Sequence, residues 1–134
     1  MTDWKVYIIY NGNYSYCGVT PNLERRLKKH NQEITGGAKY TKMIGKGWKY
    51  ICYIEGLKTK NDALKLEWAI KHCGPKKYTG INGRLYKLEK VLNKMKWTIN
   101  SPLAINYRLK INWVNIDYYP IFFEVPDYIE QEIV

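Results

Sequence analysis

Two runs of residues that favour β-structure flank a turn near the start of the chain, and this pattern constrains the fold most. The runs WKVYIIY and YSYCGVT are rich in β-branched and aromatic residues. Asn11-Gly12-Asn13 stands between them, and Gly and Asn tolerate the positive φ angles of tight turns. The sequence therefore predicts an antiparallel hairpin over residues 4–19, with Tyr7 and Tyr16 side by side on its two strands.

A helix is predicted directly after the hairpin. Thr20 is its expected N-cap and Pro21 its first residue, and the helix runs to about Asn31. A second helix follows Thr59, where Asp62 three residues later completes a capping box. This second helix runs to about residue 73. The other predicted segments are a loop at 36–47, a strand at 48–56, a third helix at 83–97 and a late strand at 105–113.

Charge is unevenly distributed along the chain. The formal net charge is +10, and all 22 Lys and Arg residues lie within 1–110. Five of the 12 acidic residues lie within 111–134, so the body carries +15 and the tail −5. A strongly basic body interleaved with 13 Tyr and 5 Trp predicts a polyanionic partner, most simply nucleic acid. The alternative is a solvated basic surface.

Several protein classes are disfavoured by composition. The three cysteines form no CxxC pair, which argues against a disulfide framework, a zinc ribbon or a RING module. No apolar run approaches the roughly 20 residues of a membrane helix, and the N-terminus lacks a signal layout, so we expect no membrane partner. The expected location is intracellular: the nucleus, or the cytoplasm or a virus factory for a viral protein.

Arg26 and His30 are candidate site residues on the first predicted helix. They are four positions apart, beside Leu23 and Leu27, and therefore flank the helix face that meets the sheet. The planar fork of a guanidinium suits a phosphate. An alternative for His30 is that it caps carbonyl groups at the helix end.

Glu67 is a second candidate, on the inward side of the helix ALKLEWAIKH. A carboxylate in that position is costly unless it is paired or binds a metal. One carboxylate, waters and a substrate phosphate form an ordinary Mg²⁺ site. The alternative is a structural ion pair between Arg26 and Glu67.

These features together resemble the GIY-YIG endonuclease family over roughly residues 4–75. The first family motif falls on Lys5-Val6-Tyr7 and the second on Tyr16-Cys17-Gly18. Lys5 and Cys17 depart from the family's glycine and isoleucine. By the resemblance, Arg26 is the family's helix arginine, His30 its histidine and Glu67 its metal-binding glutamate, whereas its late asparagine is Asn82, Asn93 or Asn100.

The resemblance implies an α/β (α+β) fold, in which helices flank a three-stranded antiparallel sheet and a late strand and tail follow. We expect a nuclease domain at 1–100 and an extension at 101–134 packed on or near the same domain. The implied reaction is phosphodiester hydrolysis with Mg²⁺ or Mn²⁺ on Glu67. Tyr7 is the favoured general base, because cationic charge from Arg26 and the metal favours phenolate, and Tyr16 and His30 orient water or phosphate.

Within the family, the segments GVTPNLERRLKKHN, GGAKYT and ALKLEWAIKH look most like the branch-cutting (SLX-type) members. Those members act in DNA recombination or repair and usually pair with a scaffold protein. They also carry a C-terminal zinc domain, for which this sequence lacks the cysteines. The expected partners are branched DNA and a scaffold protein or a second copy. The predicted nucleic-acid contacts are Arg25, Lys29, Lys39, Tyr40 and Lys42.

Two other function classes fit parts of the pattern. A catalytically silent basic module that binds structured nucleic acid would explain the charge and the aromatic residues. A protein-interaction domain could use the acidic, aromatic tail, which includes Tyr118, Tyr119, Phe122 and Phe123. Metal-dependent nicking of DNA distinguishes an enzyme from both.

Overall fold

The structure, a computed structural model, describes residues 3–118 and 123–134. Within these residues there are five strands, four α-helices and two short 3₁₀ helices. The strands are β1 Trp4–Asn11, β2 Tyr14–Thr20, β3 Lys49–Leu57, β4 Lys110–Trp113 and β5 Glu130–Ile133. The helices are α1 Leu23–His30, α2 Lys39–Ile44, α3 Lys60–Lys71 and α4 Gly80–Leu92, with 3₁₀ turns at Ala104–Asn106 and Ile116–Tyr118.

A single sheet organises the described chain, in the order β2-β1-β3-β4-β5. The first three strands are antiparallel neighbours, which confirms the predicted α/β (α+β) class. The sheet is wider than the predicted three strands, because β4 pairs antiparallel with β3 and β5 pairs parallel with β4. Strand β2 is left as the edge on the hairpin side.

The predicted hairpin is confirmed. Its first strand, β1, lies inside the sheet between β2 and β3 and is buried on both faces. Gly12 takes a φ of +61° in the turn, as the Asn-Gly-Asn sequence predicts. Because side chains alternate along a strand, Val6 and Ile8 enter the main core under α3 and α4. Tyr7 and Ile9 point to the other face, toward α1 and Trp48.

The start of α1 differs from the sequence prediction. Thr20 is the last residue of β2, and the N-cap is Asn22, whose side chain accepts a hydrogen bond from the Arg25 amide at 3.0 Å. The Thr20 hydroxyl instead accepts from the Asn22 amide at 3.1 Å and stabilises the strand-to-helix turn. The predicted cap at Thr59 is confirmed, since its hydroxyl accepts from the Asp62 amide at 3.1 Å.

The later part of the chain contains more structure than its sequence pattern indicated. The predicted loop 36–47 holds the short helix α2, and the third long helix spans 80–92 rather than 83–97. The late strand covers only 110–113, because residues 104–106 form a 3₁₀ turn that buries Ala104. The tail adds strand β5.

Among residues 3–118 and 123–134, no helix is long and apolar enough to cross a bilayer.

The tail packs against side chains of β1 and β4. Tyr118 lies 4.9 Å from Tyr10 between ring centroids, and the buried Phe123 lies 5.2 Å from Trp113. Tyr119 and Phe122 fall outside the described residues. Lys110 and Glu132 form an ion pair between β4 and β5.

Candidate active site

Tyr7, Arg26 and His30 come together on the face of the sheet covered by α1. The Tyr7 hydroxyl lies 2.6 Å from Nε2 of His30, and Nε of Arg26 donates to the same hydroxyl at 3.0 Å. Tyr16 lies alongside, with its ring centroid 5.2 Å from that of His30. The family resemblance in the sequence had predicted these four residues as one site.

Thr41 on α2 fixes the tautomer of His30. Its hydroxyl donates to the Ala38 carbonyl at 3.0 Å, so its oxygen accepts the Nδ1 proton of His30 at 2.8 Å. The Nε2 lone pair is then free to accept the proton of the Tyr7 hydroxyl. The result is one continuous chain of donors and acceptors from Arg26 through Tyr7 and His30 to α2.

The position of α2 depends on a second set of contacts. The Asn31 side chain accepts from the Trp48 amide at 2.7 Å and donates to the Trp48 carbonyl at 3.0 Å. The Trp48 indole then donates to the Thr41 carbonyl at 3.2 Å. The role of Thr41 was not predicted, since nothing in the sequence of the predicted loop 36–47 indicates that its threonine faces a histidine.

Burial keeps the two central groups neutral. Burial raises the pKa of Tyr7 well above its usual range, although the hydrogen bond from Arg26 opposes this. Burial, together with the Arg26 charge, lowers the pKa of His30 to about 4. Tyr7 is therefore a phenol at neutral pH and His30 an uncharged acceptor. As expected, Arg26 lowers the pKa of Tyr7 and so favours the phenolate, but burial raises this pKa by more.

Two glycines give the site its shape. A methyl group on Gly18 would overlap the Tyr7 hydroxyl, so the ring of Tyr7 lies directly over this residue of the neighbouring strand. Gly36 adopts a φ of +108°, and its carbonyl accepts from Nη1 of Arg26 at 3.1 Å. The guanidinium is thus held at two of its nitrogens while the side chain remains half-buried.

Glu67 reaches the β2 edge from the opposite layer, on α3. Its side chain is 18% exposed, and Oε2 lies 3.6 Å from Nζ of Lys71. The same ammonium group lies 4.8 Å from the centroid of the Tyr16 ring. Among residues 3–118 and 123–134 no ion pair joins Arg26 to Glu67, so that alternative is wrong.

A comparison with protein families covers the residues of this site. Residues 3–79, more than half of the chain, match a family model described as the GIY-YIG catalytic domain. This chain belongs to the GIY-YIG family. Tyr7, Tyr16 and Gly18 lie within the matched residues. A side chain at Gly18 is excluded sterically by the ring of Tyr7 above it.

Several curated relatives are named as structure-specific endonuclease subunits. The structure-specific endonuclease subunit slx1 of Schizosaccharomyces pombe is 36% identical over 104 residues, which is 75% of this chain and 38% of that protein. The Schizosaccharomyces japonicus protein of the same name is 47% identical over 57 residues, 42% of this chain and 20% of its own. A Cryptosporidium parvum homologue is 36% identical over 100 residues, 68% of this chain and 24% of its own. This chain spans less than two fifths of these relatives.

GIY-YIG nucleases generally depend on a divalent metal, and the residues around Glu67 fit a site with few protein ligands. The described chain holds no cluster of three or more His, Cys, Asp or Glu side chains that could enclose an ion. A single half-buried carboxylate suits a cation that keeps waters and takes substrate phosphate oxygens. The ammonium of Lys71, between Glu67 and the Tyr16 ring, already places positive charge there.

The predicted nucleic-acid contacts lie on α1 and α2, the helices that carry Arg26, His30 and Thr41. Arg25, Lys39 and Lys42 are exposed, and Lys29 is half-buried beside Gly36. Tyr40 is 36% exposed and stacks on Tyr16 at 6.2 Å between ring centroids, with 21° between the planes.

The three asparagine candidates lie in different surroundings. The Asn93 side chain donates to the Glu89 and Glu124 carbonyls at 2.8 Å each, which is a structural role. Asn100 offers its backbone carbonyl to Lys65 at 3.1 Å. Asn82 is exposed in the first turn of α4.

Proposed function

We propose that this protein is a structure-selective endonuclease that hydrolyses phosphodiester bonds at branched DNA, such as flaps and junctions, in recombination or repair. The observation that carries the proposal is the hydrogen-bonded chain Arg26–Tyr7–His30 with Glu67 at the adjacent strand edge. The names of the curated relatives support the substrate class.

Arg26 and Tyr7 carry out different parts of the proposed reaction. Arg26 binds a phosphoryl oxygen and stabilises the charge that develops on it. The Tyr7 oxygen accepts a proton from the attacking water while its own hydroxyl proton passes to Nε2 of His30. The hydrogen bond from Arg26 to the Tyr7 oxygen stabilises negative charge on that oxygen during the transfer.

Tyr16 and Glu67 complete the proposed site. Tyr16 orients the water or the phosphate from the neighbouring strand. Glu67 holds a divalent cation, Mg²⁺ or Mn²⁺, whose chemistry when bound is to polarise the phosphate and stabilise the leaving oxygen. Arg25, Lys29, Lys39, Tyr40 and Lys42 contact the nucleic acid around the site.

The setting of the activity is part of the same proposal. The relatives are named subunits, so we expect a scaffold protein as partner, with a second copy of the chain as the other candidate. The expected location is intracellular, in the nucleus, or in the cytoplasm or a virus factory for a viral protein.

A cleavage assay tests this function. The full chain is incubated with flap, junction and linear duplex DNA of matched sequence, with Mg²⁺, Mn²⁺ or EDTA. We expect metal-dependent cutting that is faster on the branched substrates. Binding without cutting in either metal would instead support the silent module, and equal rates on linear and branched DNA would refute structure selectivity.

A further inference from the structure

A cavity of about 530 Å³ lies along the free edge of β2. It is formed by the hairpin turn, by Tyr40 and by the start of α4, and we call it the β2-edge cavity. Its lining includes Asn13, Ser15, Tyr78, Arg84 and Lys87. All of its lining residues are described by the structure, and none is acidic. The two cations give the concave surface a positive potential.

Arg84 and Lys87 are half-buried cations of this cavity. The ion pairs of the described residues involve Lys28, Lys71 and Lys110. Neither Arg84 nor Lys87 has a carboxylate partner among residues 3–118 and 123–134, a property that they share with Arg26 of the candidate active site. Nε of Arg84 lies 3.4 Å from the hydroxyl of the buried Ser15, which holds the guanidinium against the strand edge. Two half-buried cations without a carboxylate favour an external anion.

Tyr40 connects the β2-edge cavity with the candidate active site. Tyr40 lines the cavity and stacks on Tyr16, whose other neighbours are His30 and Lys71. Because Tyr40 contacts Tyr16 and also lines the cavity, a strand bound at Arg26 can extend past Tyr40 toward Arg84.

We propose that the β2-edge cavity is a second phosphate subsite, in which Arg84 and Lys87 bind a backbone phosphate of the DNA next to the one that is cut. Tyr40, between the two subsites, offers its ring to the intervening base or sugar. This proposal rests on the nuclease function above and adds the residues that position the strand. It explains why two cations and a stacked tyrosine line a polar cavity outside the catalytic residues.

Binding measurements test the subsite without any cleavage. Fluorescence anisotropy with a labelled flap DNA is measured in a Glu67→Gln background, with Arg84→Gln, Lys87→Gln and the charge-matched Arg108→Gln. Arg108 is exposed and lies beside acidic residues at the other side of the sheet. We expect Arg84→Gln to weaken binding about tenfold and to reduce the slope of log affinity against log salt by about 0.9, whereas Arg108→Gln changes neither. Arg84→Lys should retain the slope.

Neutral phosphates give a second readout. Single methylphosphonate substitutions are placed at successive phosphates around the branch point, and one of them should weaken binding to the parent protein but not to Arg84→Gln. Melting temperatures verify folding, and Lys87→Gln decides the question if Arg84→Gln does not fold. Wild-type affinity and salt slope for the folded variants would overturn the subsite. A wild-type chain that binds with these signatures but cuts no DNA would refute the nuclease function and leave the subsite standing.

Discussion

The hydroxyl of Tyr7 lies 2.6 Å from Nε2 of His30, although the two residues are 23 positions apart in the chain. Tyr7 belongs to β1 and His30 ends α1, so the contact joins the sheet to the helix that covers it. Because Thr41 accepts the Nδ1 proton, His30 presents a lone pair to the tyrosine. The contact is therefore a path for the phenolic proton as well as a packing contact.

Loss of the Tyr7 hydroxyl should abolish most of the cutting. Tyr7→Phe removes the group that exchanges protons with water and with His30, so the cleavage rate should fall about 10²-fold to 10⁴-fold. Single-turnover cleavage and DNA affinity are measured together, and affinity should change little. Tyr53→Phe is the matched control, because Tyr53 lies opposite Tyr7 on β3. Cleavage at the wild-type rate by Tyr7→Phe would exclude the assigned proton path.

Titration of His30 should make the protein less stable in mild acid. Its pKa is lowered from 6.5 to about 4 by burial and the Arg26 charge, so below pH 6.5 the unfolded state binds a proton that the folded state does not. The stabilising contribution is fully present above pH 6.5 and is lost as the pH falls toward 4. Between pH 7 and pH 5 the loss is about 2 kcal/mol.

Urea unfolding at pH 7 and pH 5 measures this loss. In His30→Gln, which cannot titrate, the free energy of unfolding should change about 2 kcal/mol less between the two pH values. His72→Gln, at the exposed end of α3, should behave as wild type. An identical pH dependence in wild type and His30→Gln would show that His30 is not held neutral by the fold.

Contacts of the site that depend on neighbouring residues in the chain were predictable, and contacts that depend on the packing of distant segments were not. The hairpin turn places Tyr7 and Tyr16 on neighbouring strands, and the helical repeat places Arg26 and His30, four residues apart, on one face of α1. The partner of Glu67 was not predicted as Lys71, although the two have the i, i+4 spacing of a helical ion pair. The distance from Arg26 to Glu67, in contrast, depends on how two layers pack.

The N-cap of α1 and strand β5 also depend on the packing of distant segments. Thr20 and Asn22 are both good N-cap residues, and the choice between them follows from where β2 ends. Strand β5 has only four residues, three of them polar, and it forms because β4 offers a free edge beside it. Neither the choice of the N-cap nor the formation of β5 can be read from the few residues involved.

Gly18 should be indispensable to the position of Tyr7. In Gly18→Ala the new methyl group overlaps the Tyr7 hydroxyl and ring, so the ring must shift away from Arg26 and His30. We expect a destabilisation of about 1–3 kcal/mol and a cleavage rate as low as that of Tyr7→Phe. Because the hydroxyl is the nearest atom, the destabilisation should be smaller in a Tyr7→Phe background. Additive losses of stability in the double variant would contradict this steric account.

Glu67 should separate binding from cutting. Glu67→Gln keeps the shape of the side chain but removes the anionic ligand, so cutting should fall below detection with Mg²⁺ or Mn²⁺ while the basic surface still binds DNA. The matched control is Glu24→Gln, since Glu24 also pairs with the lysine four residues later, Lys28. Metal-dependent cutting by Glu67→Gln at the rate of Glu24→Gln would make the metal assignment wrong.

Arg26 gives the sharpest distinction between a catalytic and a structural role. Its Nε and Nη1 contact the Tyr7 hydroxyl and the Gly36 carbonyl, so the two-point contact depends on the planar fork of a guanidinium. Arg26→Lys keeps the charge but cannot reproduce both contacts. If Arg26 stabilises charge in the transition state, the rate constant for cutting should fall by about 10² or more with little change in DNA affinity.

The control for Arg26→Lys is Arg25→Lys, one position away and exposed. Arg25 contributes to the helix cap through its backbone amide, which donates to the Asn22 side chain and is preserved in Arg25→Lys. Arg26→Ala tests stability separately: since Glu67 pairs with Lys71 and the Tyr7 hydroxyl still bonds His30, no buried charge is left unpaired. Its melting temperature should therefore fall only modestly while its cutting is lost. A folded Arg26→Lys protein that cuts as fast as Arg25→Lys would leave Arg26 with a structural role alone.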